Sequence, residues 1–212
     1  MIPVKICGIT NLADAQLAVK GGASAIGFIF YGESQRYISP GKVEEWLNVI
    51  PSSVKNVGVF VNEQIENVHC IAQKLSLDFI QLHGDESPDY CNKMTRPVIK
   101  AFRVGDDFDF SILSKYQVHA FLFDTYQKGT PGGTGNVFNW ELISNLNIDS
   151  PIILSGGLNT DNIKKGIETV NPSAVDVNSG VESKPGVKDN VKMMELFGSL
   201  ERVKTNIKLT CF

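Results

Sequence analysis

The sequence lacks long apolar runs and a strong charge of either sign. No apolar run approaches the roughly 20 residues that a membrane-spanning helix needs, and no charged-then-apolar leader precedes Val4. A formal net charge of −3 gives no electrostatic reason to bind nucleic acid or an anionic membrane surface. We therefore expect a cytoplasmic protein that binds neither.

Metal-binding and disulfide-forming residues are also scarce. The four cysteines lie far apart, in a spacing that matches neither a zinc ribbon nor a small disulfide scaffold. No two of the three histidines stand at metal-ligand spacing, so we expect no structural metal. Three cysteines are interpreted as reduced and often buried thiols: Cys70, Cys91 and Cys211.

What the sequence contains is a regular alternation of strand and helix patterns. Short apolar runs of strand length recur roughly every 20 to 30 residues, each followed by a helical pattern. The predicted strands are 4–6, 25–30, 57–61, 79–82, 98–102, 120–123, 152–154 and 174–177. Such near-continuous apolar strands are typical of a parallel sheet with both faces covered.

Eight strand–helix units favour a closed α/β architecture, the (β/α)8 TIM barrel. An open doubly wound sheet could use the same alternation, but the absence of extra elements favours closure. The sequence has no linker and no low-complexity tract. We therefore expect residues 1–212 to form a single barrel domain.

Apolar stripes and capping residues locate the helices. Thr10 or Asn11 is the predicted cap of the first helix, and Asn159 or Thr160 that of the helix after strand seven. The stripe of the last helix includes Met194, Phe197 and Leu200. Another stripe, at i, i+3, i+4, i+7 spacing, predicts one helix that begins at Ser39-Pro40: Val43, Trp46, Leu47 and Ile50.

In such a barrel the carboxyl ends of the strands form one rim, on which catalytic groups lie. Cys7 stands at the end of the first strand, and Asp124 ends the sixth. The other predicted rim residues are His83, Arg103, Ser155-Gly156-Gly157 and Ser179-Gly180.

The glycines of the rim indicate an anion site. Gly156, Gly157 and Gly180 follow strands seven and eight, where these barrels often bind phosphate, and they allow the backbone amides to approach an anion closely. The alternative is that they only form tight strand–helix turns. The stretch 132–135, which contains Gly133, is flexible enough to close as a lid or to press its amides onto a ligand.

Cys7 and Asp124 are candidate proton-transfer groups. An apolar surround would raise the pKa of Asp124 and suit it to donate a proton, although a carboxylate there could also be a cap. A base or nucleophile at Cys7 needs a lowered pKa, and the alternative is a small apolar residue. Lys5 projects to the same side of the first strand as Cys7, and Asp176 lies on the eighth strand, which is next to the first in a closed barrel. We therefore expect a buried Lys5–Asp176 pair beneath the site.

Taken together, the motifs resemble the phosphoribosylanthranilate isomerase family along nearly the whole chain. Their order and spacing carry the resemblance, since each motif alone is weak evidence. The motifs are Lys-Ile-Cys-Gly-Ile-Thr at 5–10, Gly-Phe-Ile-Phe at 27–30, Arg-Tyr-Ile-Ser at 36–39, Gln-Leu-His-Gly-Asp-Glu at 81–86, Phe-Asp-Thr at 123–125, Gly-Gly-Thr-Gly at 132–135, Leu-Ser-Gly-Gly-Leu at 154–158 and Ser-Gly-Val-Glu-Ser at 179–183.

The resemblance implies an Amadori rearrangement in tryptophan biosynthesis, without cofactor or metal. The substrate would be N-(5-phosphoribosyl)anthranilate, a small phosphorylated molecule. Asp124 would protonate the furanose ring oxygen, Cys7 would take the proton from C2, and Arg36 would bind the anthranilate carboxylate through its planar guanidinium. His83 would line the pocket or only pack in the loop. The remaining substrate-binding candidates are Gly133, Gly156, Gly157, Ser179 and Gly180.

Two departures from the family pattern and three rival functions remain. Gln35 stands where the family often has proline, and Asn178 where it often has serine. The rivals are a sugar-phosphate epimerase, an indole-glycerol-phosphate synthase and a non-catalytic binder of phosphorylated ligands. The sequence leaves open whether the protein is a monomer or a homodimer.

Overall fold

Eight parallel strands, paired in chain order, close into a barrel in the computed structural model, which describes residues 1–125, 139–144, 146–201 and 211–212. The first strand pairs with the second and with the eighth. The predicted (β/α)8 barrel is therefore confirmed. Of the helices in the described ranges, none combines the length and apolar character needed to cross a membrane.

The eight barrel strands match the predicted apolar runs to within a few residues. They are β1 Val4–Ile6, β2 Ala25–Ile29, β3 Lys55–Phe60, β4 Phe79–Leu82, β5 Val98–Val104, β6 Ala120–Thr125, β7 Ile152–Leu154 and β8 Ala174–Val177. An antiparallel hairpin follows β8, formed by β9 Glu182–Lys184 and β10 Val187–Lys188. The sequence did not predict this hairpin, because its strands are short and largely charged.

Helices of different lengths connect the strands. They are α1 Leu12–Gly21, α2 Pro40–Glu44, α3 Ile65–Lys74, α4 Pro88–Cys91, α5 Glu141–Ser144, α6 Ile163–Val170 and α7 Asn190–Leu200. Short 3₁₀ helices span Leu47–Val49, Phe110–Lys115 and Ser179–Val181. Asn11, and not Thr10, caps α1, since its side chain accepts a hydrogen bond from the amide of Asp14.

The single helix predicted from Pro40 to Ile50 is wrong. Helix α2 ends at Glu44, and a separate 3₁₀ turn follows. Ile50 adopts extended backbone angles because Pro51 follows it, and the residue before a proline disfavours the helical conformation. The apolar stripe is still used, since the Trp46 ring packs edge-on against Phe28 at 5.7 Å between centroids.

Three further expectations about helical residues are corrected. Asn159 caps the turn before α6 by accepting from the amides of Asp161 and Asn162, so it does not cap the helix itself. Met194 is exposed, because the buried face of α7 runs through Met193 and the residues three, four and seven positions beyond it. Cys70 is exposed, unlike the buried Cys91 and Cys211.

Alternation along the strands determines which side chains reach the inside of the barrel. Every second strand residue points inward, while the others pack against the surrounding helices. The interior cluster consists of Ala25, Val57, Phe79, Ile99, Ala101, Ala120, Leu122, Ile153, Ala174 and Cys211. Continuing this alternation toward the carboxyl ends of the strands brings Cys7, His83, Arg103 and Asp124 to one mouth of the barrel.

Candidate active site

Cys7 lies directly after β1, where its side chain is almost fully buried at the mouth of the barrel. Its amide donates a hydrogen bond of 2.9 Å to the carbonyl of Val177, which fixes the end of β1 against β8. A Cβ atom on Gly27 would stand 2.9 Å from the Cys7 Sγ and 3.1 Å from the Lys5 Nζ. The absence of a side chain at Gly27 therefore makes room for the thiol and the ammonium side by side.

Lys5 and Asp176 form a buried ion pair below Cys7, as the sequence predicted. The Lys5 Nζ lies 2.9 Å from the Asp176 Oδ1, and the two residues face each other across the β1–β8 pairing. Burial acts to lower the pKa of Lys5, but the charges and hydrogen bonds of Asp176 and Cys7 raise it above the ordinary value. These contacts therefore favour the charged form of Lys5 beside the thiol.

The pKa of Cys7 is raised, whereas the sequence analysis required it to be lowered. Burial is the largest cause, and the Asp176 charge acts in the same direction. Lys5 and Lys188 lower the pKa without offsetting these two effects. In the substrate-free protein Cys7 is therefore a thiol at neutral pH, and its thiolate becomes more abundant as the pH rises.

Asp124 lies in β6, next to His83 from the loop after β4. The Asp124 Oδ2 is 3.3 Å from the His83 Nε2, and the other ring nitrogen of His83 lies 3.1 Å from the Gln81 Nε2. In the β5–β6 register Asp124 is the partner of Arg103. Asp124 is partly exposed, so solvent reaches its side chain.

Arg36 is held by a carboxylate that the sequence analysis did not single out. In a two-pronged contact, the Arg36 Nε donates to both carboxylate oxygens of Glu182, at 3.0 and 3.1 Å, and the Nη2 donates to Oε2 at 2.8 Å. Burial acts to raise the pKa of Glu182, but hydrogen bonds and charges from Arg36 and Lys188 hold it below the ordinary value. Glu182 belongs to the Ser-Gly-Val-Glu-Ser motif, and this was the one feature of the sequence that could have marked it as a site residue.

A second buried pair supports the loop that carries His83. The Lys100 Nζ lies 2.8 Å from the Glu86 Oε2 and donates to the carbonyl of Gly84 at 2.7 Å. The other Glu86 oxygen accepts from the amide of Asn62 at 2.9 Å. The loops after β3 and β4 are thereby joined to β5.

The two predicted glycine loops lie against each other. Gly156 and Gly157 have φ angles of 86° and 66°, in the left-handed region that favours glycine. A Cβ on Gly180 would overlap the carbonyl oxygen of Leu158, so the second loop can pack this closely only without a side chain. Within the described ranges, neither Gly156 nor Gly157 uses its amide in a hydrogen bond. Both amides are therefore available to an anion.

Gly133, and the lid expected around it, lie outside the described residues. Ser179 begins the 3₁₀ helix after β8, beside Gly180. In the part of the chain that the structure describes, no group of three histidine, cysteine, aspartate or glutamate side chains is placed to hold a metal ion.

A cleft of about 500 Å³ opens over the carboxyl ends of β2 to β5. It reaches His83 and is bordered by aromatic rings and one arginine, a set that would accept a planar ligand. The sequence analysis did not single out these aromatic residues, which lie after β2, in β5 and in the loop after β5. The cleft is lined by Tyr31, Val61, Asn62, His83, Gly84, Asp85, Ala101, Phe102, Arg103 and Phe108.

Comparison with known proteins gives consistent results. Residues 4–199 match the family model described as N-(5'phosphoribosyl)anthranilate (PRA) isomerase. The N-(5'-phosphoribosyl)anthranilate isomerase of Syntrophus aciditrophicus is 45% identical over 203 residues, which cover 95% of this chain and 88% of that protein.

Solved structures agree with this result. The crystal structure of phosphoribosyl anthranilate isomerase from Thermotoga maritima superposes with a TM-score of 0.88 at 40% identity, covering 94% of this chain and 98% of that one. A complex of phosphoribosyl anthranilate isomerase with reduced 1-(o-carboxyphenylamino)-1-deoxyribulose 5-phosphate gives a TM-score of 0.84 at 40% identity, with the same coverage.

Proposed function

This chain belongs to the N-(5'-phosphoribosyl)anthranilate isomerase family, and we propose that Cys7 and Asp124 act in it as general base and general acid. The protein is an aldose–ketose isomerase of tryptophan biosynthesis. It converts N-(5'-phosphoribosyl)anthranilate into 1-(2-carboxyphenylamino)-1-deoxyribulose 5-phosphate.

The observation that carries the catalytic assignment is the placement of the two groups on the barrel. Cys7 follows β1 and Asp124 lies in β6, and both point into the mouth. Around the closed barrel, β7 and β8 lie between Asp124 and Cys7 on one side, and β2 to β5 lie between them on the other. The two side chains therefore face each other across the opening. A sugar bound between them can lose a proton on one side and gain one on the other.

The rearrangement then proceeds in two proton transfers by the enzyme, followed by a tautomerisation. The Asp124 carboxyl protonates the ring oxygen as the bond from C1 to that oxygen breaks, which opens the sugar to a protonated Schiff base. Cys7 removes the proton from C2 in its thiolate form, which is the minor form at neutral pH. The C2–H electron pair forms the C1–C2 double bond while the C=N pair moves to nitrogen. The enolamine then moves its hydroxyl proton to C1 and becomes the ketone. His83 stabilises the Asp124 carboxylate left by the first step.

Substrate binding is assigned to the two ends of the ligand. Arg36 would bind the anthranilate carboxylate, since a guanidinium can donate to a carboxylate and to Glu182 from different edges. The amides of Gly156, Gly157, Ser179 and Gly180 would bind the phosphate. Gly133, which lies outside the described residues, would be a further substrate-binding residue.

The phosphate assignment predicts a binding defect in Gly180→Ala. The new Cβ would overlap the Leu158 carbonyl and push the two glycine loops apart, so we expect KM to rise about tenfold or more with a smaller change in kcat. Competitive inhibition by inorganic phosphate should weaken in parallel. Gly41→Ala is the control, because a Cβ there meets no atom within 4 Å. Unchanged phosphate inhibition in Gly180→Ala would count against the site.

The function itself is tested by generating phosphoribosylanthranilate in situ and following its fluorescence. We expect the wild-type protein to remove the fluorescence at a rate proportional to its concentration. Binding without turnover would instead favour the non-catalytic binder of phosphorylated ligands.

We also propose that the protein works in the cytoplasm, that residues 1–212 form a single barrel domain, and that it is a monomer or a homodimer. The elements from β1 to α7 all belong to the barrel or pack on it, which supports the single domain. Light scattering in solution distinguishes the mass of the monomer from that of the homodimer.

A further inference from the structure

The β9–β10 hairpin brings a carboxylate to the arginine of the substrate site. Arg36 and Glu182 are 146 residues apart in sequence, and three donor–acceptor distances between 2.8 and 3.1 Å join their side chains. The Glu182 side chain is only 4% exposed and that of Arg36 is 14% exposed. The contact is therefore an enclosed, charge-assisted pair and not a surface ion pair.

Glu182 is itself locked in place by its other partners. Its Oε1 accepts from the Lys188 Nζ at 3.1 Å and from the Gly186 amide at 3.2 Å. The Lys188 Nζ is also held by Asn178, through the backbone carbonyl at 3.1 Å and the side-chain Oδ1 at 3.0 Å. The Glu182 Oε1 is therefore held by Lys188 and Gly186 as well as shared with Arg36, in a nearly buried position.

The stem of Arg36 also lies close to the turn that follows Cys7. A Cβ on Gly8 would stand 3.0 Å from the Arg36 Cδ, and Gly8 directly follows Cys7. A fixed Arg36 side chain therefore has a fixed distance to Cys7, the proposed base. Within the described ranges the Arg36 Nη1 makes no hydrogen bond, so one edge of the guanidinium is left for a ligand.

We propose that Glu182, held by Lys188, is the positioning residue that orients Arg36 for the carboxylate of the substrate. The inference rests on the proposed role of Arg36. Glu182 occupies the Nε and one Nη of the guanidinium and presents the remaining edge to the mouth of the barrel. A carboxylate that meets this preoriented edge forms its hydrogen bonds without first ordering the arginine side chain.

The opposite possibility is that Glu182 imitates the substrate carboxylate and must leave before binding. The two views predict opposite changes when the charge of Glu182 is removed. A positioning residue raises KM when it is lost, whereas a competitor lowers KM when it is lost.

The experiment compares Glu182→Gln, Arg36→Ala and the double variant in steady-state kinetics. In Glu182→Gln one oxygen is replaced by an NH2 group that opposes the guanidinium donors, and we expect KM to rise about tenfold while kcat changes by less than about threefold. In the Arg36→Ala background the same substitution should change KM by less than about twofold. Glu45→Gln, in an exposed pair with Lys42, is the matched control and should behave as wild type.

Each outcome decides the question. An unchanged or lowered KM in Glu182→Gln, or a KM effect of equal size in both backgrounds, overturns the proposal. If Glu182→Gln does not fold, Glu182→Asp keeps the charge that Lys188 contacts and shortens the reach by one methylene, and the same KM increase is expected. If Arg36→Ala itself leaves KM unchanged, the assignment of Arg36 fails while the isomerase activity of the wild type stands.

Discussion

Replacing Cys7 by serine is expected to lower kcat by about 10²-fold or more, the scale on which a general base contributes. The substitution keeps the size of the side chain, so the β1–β8 contact and the Lys5–Asp176 pair remain. A serine hydroxyl is a far weaker acid than a thiol, so the anion that must accept the C2 proton is much scarcer at neutral pH than the Cys7 thiolate of the wild type. Fluorescence loss of phosphoribosylanthranilate measures the effect.

Cys91→Ser is the control for this prediction. Cys91 is also buried, but it belongs to α4, outside the barrel mouth. We expect its kcat to remain within about threefold of wild type. If Cys7→Ser turned over as fast as this control, another group would have to be the base.

The raised pKa of Cys7 predicts a pH dependence of its alkylation rate, which can be measured without substrate. Because burial favours the neutral thiol, the thiolate fraction is small at neutral pH and grows as the pH rises. Alkylation of Cys7 by iodoacetamide, followed by mass spectrometry of the peptide that contains it, should therefore accelerate with pH beyond the range of an ordinary cysteine. A rate that levels off below neutrality would mean that Lys5 outweighs burial.

Replacing Asp124 by asparagine should have an effect of the same size, with kcat reduced by about 10²-fold or more. The amide has nearly the same shape and can still accept a hydrogen bond from His83, so the geometry of the mouth is kept. It cannot release a proton to the ring oxygen, and the furanose then opens only by its slow uncatalysed route. The fluorescence assay again gives the result.

Asp78→Asn provides the comparison for Asp124. Asp78 also contacts a cationic side chain, Lys55 at 3.2 Å, but it precedes β4 at the opposite end of the barrel. The activity of the Asp78→Asn variant should match that of the wild type. Comparable turnover in Asp124→Asn would remove Asp124 from the mechanism and leave its contact with His83 as a structural one.

The sequence predicted the parts of the site that depend on strand alternation. The Lys5–Asp176 pair could be foreseen because alternation fixes the side of each residue and barrel closure makes β1 and β8 neighbours. The Arg36–Glu182 pair could not be foreseen, since it depends on the path of the β9–β10 hairpin, whose sequence shows no alternating strand pattern. The raised pKa of Cys7 could not be foreseen, because the balance between burial and the Lys5 charge depends on distances that a sequence does not contain.

The Lys5–Asp176 pair has a consequence for the order of events in folding. Its two members are 171 residues apart and join the first strand to the last, so the pair forms only when nearly the whole chain has been brought together. An unfinished nascent chain has Cys7 and Asp124 but lacks the carboxylate beneath the thiol. The recovery of activity during refolding therefore reports the closing of the barrel seam and not the formation of its individual strands.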